Sequence, residues 1–136
     1  MAAKKTKTPL QKYLSKKLPT FRRGDADCVA FVGGWVNELL GSKALIFTPK
    51  TFGDVVRDLR NYPLLDQVED KLSPLGFKKG EPQDGSVVLY SCSDAFSGTA
   101  IGIFSNGTAI TRFEGDSLHL KKDPEIIESW SLKPAE

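Results

Sequence analysis

The sequence predicts an α+β protein, and three features carry that expectation. Apolar residues in the first half recur at helical spacing, above all from Cys28 to Leu40. From residue 84 onward the pattern changes to short β-rich runs separated by turn residues. Between two of these runs lies Asn106-Gly107, which suits a tight hairpin because both central positions need positive φ. Helices followed by an antiparallel sheet make an α+β arrangement rather than a βαβ alternation.

The elements follow in chain order. Pro9 opens a short amphipathic segment with Leu10, Tyr13, Leu14 and Leu18 on one side and lysines opposite, and Pro19 ends it. Asp25 and Asp27 are both candidate N-caps for the next helix. There Cys28, Phe31, Val32, Trp35, Val36, Leu39 and Leu40 form one buried face, and Gly41 stops it. Gly33 and Gly34 sit mid-helix, where each costs about 1 kcal/mol relative to alanine, so another backbone is expected to pack close. Thr51 and Asp54 mark a second helix start, with Phe52, Val55, Val56 and Leu59 inward. A third helix follows Pro63, with Leu65, Val68 and Leu72 inward, and Pro74 and Gly76 close it. Asp84-Gly85 turns into a strand at Ser86 to Tyr90, and a polar loop runs from Ser91 to Gly98. Ala100 to Phe104 and Thr108 to Phe113 flank the hairpin turn, and Leu118 to Leu120 is a short strand. Asp123-Pro124 reads as the cap and first residue of a brief helical turn before Trp130 and Leu132 close the domain.

A chain of 136 residues has the size of one domain and buries enough surface to fold without a metal or disulfide. Its two cysteines, Cys28 and Cys92, have the spacing of neither a disulfide framework nor a metal knuckle. There is no phosphate loop, zinc pattern or dinucleotide fingerprint, so no cofactor and no metal are expected. No apolar run approaches the ~18 residues of a membrane span. The N-terminus has no apolar core or cleavage site of a secretory signal, and synthesis in a reducing cytoplasm is expected.

The net charge of +2 conceals an asymmetry. Lys4, Lys5, Lys7, Lys12, Lys16, Lys17, Arg22 and Arg23 give residues 1–24 a charge of +8 with no acid, leaving −6 for the rest. Residues 1–18 are therefore expected to form a basic arm and 19–136 a single domain. The lysines and arginines, with Leu10, Tyr13 and Leu14, are the expected interaction residues. Such an arm suits an acidic partner or an acidic neighbouring copy, or is simply a solvated leader. Nucleic acid is disfavoured as the partner, because Tyr13 and Phe21 are the only aromatics within basic residues 1–24 that could stack on bases.

Cys28 is the first candidate for chemistry. At a helix start, free amides and the macrodipole favour a thiolate, and Arg22 and Arg23 lie close in sequence. A buried cysteine that begins an apolar stripe accounts for the same position. A thiolate needs a base, and the chain holds one histidine, His119. On a strand, His119 faces away from Leu118 and Leu120, toward solvent if both leucines face the core. Asp25, Asp27 and Asp94 are explained by capping or solvation rather than by cation binding.

The stretch Gly24 to Phe31 with Asp27-Cys28, the strand Asp84 to Tyr90 and the run Ala100-Ile101-Gly102-Ile103-Phe104 leading into Asn106-Gly107 together resemble the NlpC-type cell-wall cysteine peptidases. That resemblance implies a papain-like fold, with N-terminal helices packed on a small antiparallel sheet. It gives Cys28 the nucleophile position and Ala100 the place of the catalytic histidine. The family's third polar residue falls near Thr111 or Arg112. From about residue 10 to 133 the chain also resembles small phage and prophage proteins encoded among tail-tip genes, with their basic leader, Asp-Cys helix and closing Ile127-Glu128-Ser129-Trp130 segment. What this resemblance implies is a structural component of a phage tail tip or hub. It would be made in the host cytoplasm, reside in the virion and contact other tail proteins. Its catalytic set would be lost. The alternative is an active peptidase or amidase on peptidoglycan, using Cys28 and His119.

Overall fold

The computed structural model describes residues 8–16, 27–45, 51–61, 63–93, 98–113 and 118–132. Helix α1 spans Pro9–Leu14 and starts with a reciprocal cap. The Thr8 hydroxyl accepts from the Gln11 amide at 3.1 Å, and the Gln11 side chain accepts from the Thr8 amide at 2.9 Å. Helix α2 spans Cys28–Leu40 with Asp27 as its cap, the carboxylate accepting from the Ala30 amide at 3.0 Å. Gly41 ends it in the left-handed conformation, φ 65°. Helix α3 spans Phe52–Asn61, and Thr51 and Asp54 exchange the bonds of a second reciprocal cap. The side chains of Phe52, Val55, Val56 and Leu59 lie outside the described residues. Helix α4, Leu64–Leu72, runs into a 3₁₀ turn at Ser73–Leu75 and stops at Gly76, φ 94°.

Six strands follow: β1 Lys78–Lys79, β2 Val87–Ser91, β3 Thr99–Ser105, β4 Thr108–Arg112, β5 Leu118–Lys122 and β6 Ile126–Ser131. They form one antiparallel sheet in the order β1-β6-β2-β3-β4-β5. The β3–β4 turn places Asn106 at φ 49° and Gly107 at φ 75°, as its dipeptide requires. Strands β1 and β6 are absent from the sequence expectation, and the helical turn at Asp123-Pro124 is corrected. Asp123 sits at φ 48° and donates its amide to the Gly107 carbonyl, a geometry that leads into β6. Trp130, read as a closing residue, lies inside β6 and is 1% exposed.

The connection between β5 and β6 shapes the sheet. These strands are separated by β4, β3 and β2, about 19 Å in a flat sheet. The four Cα–Cα steps from Lys122 to Ile126 reach at most about 14 Å. The sheet is therefore curled, and its two faces differ. Val87, Leu89, Ile101, Ile103, Ile110 and Trp130 join Phe31, Val32, Trp35 and Val36 of α2 in the main core. Val88, Tyr90, Cys92, Ala100 and Ala109 form a second cluster on the other face. Among the described residues only strand and adjoining loop residues build that cluster, and the small Ala100, Gly102 and Ala109 suit the inside of the curl.

Helix α1 belongs to the main core. Leu10 is 8% exposed, and Tyr13 and Leu14 pack against the same cluster. These three, expected as contacts to a partner, are contacts within the chain, because α2 offers the apolar surface that a short helix needs. Lys12 and Lys16 remain exposed, and Lys16 pairs with Glu38. Lys4, Lys5, Lys7, Lys17, Arg22 and Arg23 lie outside the described residues.

Candidate functional site

The Asp27 cap places Cys28 as the first residue of α2. At that position the helix dipole contributes typically 0.3–1 kcal/mol, less than one pKa unit. Burial of a thiol acts in the opposite direction and is worth up to several units. Burial prevails here: it pushes the Cys28 thiol up to about 12, and the Asp27 carboxylate adds to the rise. The amides of Val29 and Cys28 itself oppose the rise and do not cancel it. Cys28 is therefore a neutral thiol at physiological pH, a half-buried residue packed against the main core.

The residues set beside Cys28 by sequence do not gather around it. Ala100, at the position of the expected base, is 3% exposed and belongs to the second cluster, on the face opposite α2. It pairs across the strands with Tyr90. Thr111 is fully buried on β4 and donates its hydroxyl hydrogen bond to the Ile101 carbonyl. Arg112, its neighbour, is 1% exposed. His119 lies on β5 opposite Thr111, half-buried, with its ring 4.9 Å from that of Phe113. The expectation that it points to solvent is corrected: Leu118 is half-buried and Leu120 exposed, and the face that His119 shares with Phe113 is itself apolar. Asp25, Asp94, Arg22 and Arg23 lie outside the described residues.

Sequence reasoning missed Tyr90. Its hydroxyl is buried and has no hydrogen-bond partner among the described residues. Burial raises its pKa above the ordinary tyrosine range, with smaller contributions from the Cys92 and Cys28 thiols. The signal was present: Val87 to Tyr90 is an unbroken apolar run, the mark of a strand buried on both faces. Gly102 completes the fit, since a Cβ there would lie 2.9 Å from the Ile110 carbonyl oxygen and 3.2 Å from the Tyr90 ring.

Among the described residues, no three His, Cys, Asp or Glu side chains come together as metal ligands, and no helix is long and apolar enough to cross a membrane. No family model, curated protein or solved structure matches the chain.

Proposed function

We propose that this chain is a structural component of a bacteriophage, or phage-derived, tail tip or hub, built on a cysteine-peptidase fold that no longer hydrolyses. One observation carries the non-catalytic half: Cys28 is held as a neutral thiol against α2's core, while the residue at the base position is an alanine facing the other side of the sheet. Nucleophilic catalysis by a thiol needs a base within hydrogen-bond reach to activate and orient it. The order of elements, helices first and an antiparallel sheet after, is compatible with the papain-like arrangement. The tail assignment rests on the sequence likeness of residues 10–133 to tail-tip-associated proteins.

Two measurements test the reading. Incubation with peptidoglycan fragments should release no free amines above buffer. Turnover that disappears in Cys28→Ser would instead make the chain a peptidase. Quantitative mass spectrometry of purified phage particles from the source strain should find the chain at a fixed ratio to other tail proteins. Its absence from the particles would remove the tail assignment.

A further inference from the structure

We infer that α1 is a latch, keyed by the Tyr13 side chain into a notch over Gly34, whose seating governs access to the first turn of α2 and to Cys28. This inference does not depend on the tail assignment. The notch exists because Gly34 has no side chain: a Cβ there would collide with the Tyr13 hydroxyl. Through this gap the hydroxyl donates a hydrogen bond to the Phe31 carbonyl, on the adjacent turn of α2. The Tyr13 ring packs between Phe31 and Trp35, with ring centroids 5.6 and 5.7 Å away. A mid-helix glycine that costs helix stability thus has a local cause.

The direction of α1 follows from its contacts. Lys16 pairs with Glu38, and Tyr13 meets Phe31 and Gly34. The two helices therefore run the same way, and Leu10, one turn before Tyr13, lies toward Cys28. Leu10, Tyr13, Leu14 and Cys28 all pack against one cluster. The latch is also separable from the rest. Six residues are far fewer than the ~12–15 an isolated helix needs. Among the described residues its attachment is Leu10, the partly buried Leu14, one keyed tyrosine and a surface ion pair, a small set beside the sheet's, so it is expected to open more readily than the sheet unfolds.

Alkylation of the two thiols, followed by peptide mapping, tests this. Cys92 is buried in the second cluster and reports global unfolding. Tyr13→Phe keeps the ring and loses one hydrogen bond, which should speed labelling of Cys28 roughly two- to tenfold. Tyr13→Ala and Gly34→Ala should speed it further, while Cys92 stays at its wild-type rate. Unchanged Cys28 labelling in both alanine variants would overturn the inference. Equal acceleration at both cysteines in every variant would overturn it too, because α1 would then be an inseparable part of the core.

Discussion

The two faces of the curled sheet are built on different terms. The helix side is filled by large side chains, Trp35, Trp130, Phe31 and Ile103 among them; Trp35 donates to the Gly85 carbonyl at 2.8 Å, while the buried Trp130 indole N–H has no partner among the described residues. The inner side is filled by Ala100, Ala109 and the bare backbone of Gly102 around Tyr90, whose hydroxyl has no partner among the described residues. One face gains stability from apolar area. The other is limited by space, so a single atom there is felt sterically before it is felt as burial. Ala100, at the position where the resemblance would place a base, lies on the space-limited face.

Truncation on the helix side should have the largest effect. Trp35→Ala leaves a large cavity and an unmatched Gly85 carbonyl, and should cost about 3–5 kcal/mol in a denaturant titration. A midpoint equal to that of wild type would show that α2 presents a different face to the sheet. Enlargement should hurt on the inner side. Gly102→Ala drives a Cβ against the Ile110 carbonyl and the Tyr90 ring, and should cost about 1–3 kcal/mol by the same titration. If it is tolerated, the inner face has slack and the contrast with the helix side fails.

Alkaline titration examines the helix side, where Cys28 and Tyr13 pack. The Cys28 thiol is raised from 9.0 to about 12 and the Tyr13 hydroxyl from 10.0 to about 12. Both groups are neutral when protonated, and the fold favours that form. The stability they contribute is full below pH 9 and declines as pH rises from about 9 toward 12. Thermal melts across this window should fall, and Cys28→Ala should flatten the early part of the fall. A Cys28→Ala profile parallel to wild type would show that the thiol is not desolvated. The smallest effect expected is Tyr90→Phe. Deleting a buried hydroxyl that lacks a partner among the described residues should leave stability unchanged or raise it by up to about 1 kcal/mol. A loss of more than that would mean the hydroxyl is satisfied in solution, and the inner face is less strained than its packing implies.

What the sequence by itself determined was local. The bounds of α2, its Asp27 cap and its Gly41 stop follow from periodicity and terminal chemistry, as do the Thr51–Asp54 cap and the Asn106-Gly107 turn. These features depend on residues within a turn or two of one another, and side-chain type encodes them directly. Pairing across the chain was another matter. Strand β6 carries Ile126 and Trp130 in a pattern too weak to identify a strand, and becomes one because β2 presents an open edge to it. Asp123, a good helix cap by type, takes the left-handed conformation because its amide finds the Gly107 carbonyl. The candidate site divides in the same way. The position of Cys28 at a helix start was legible, but its protonation depended on burial, and burial depends on what α1 and the sheet bring against it. The relation of Cys28 to Ala100 and His119 was set by which face of the curled sheet α2 covers. That curl comes from a three-residue link between distant strands, a constraint that no local pattern contains.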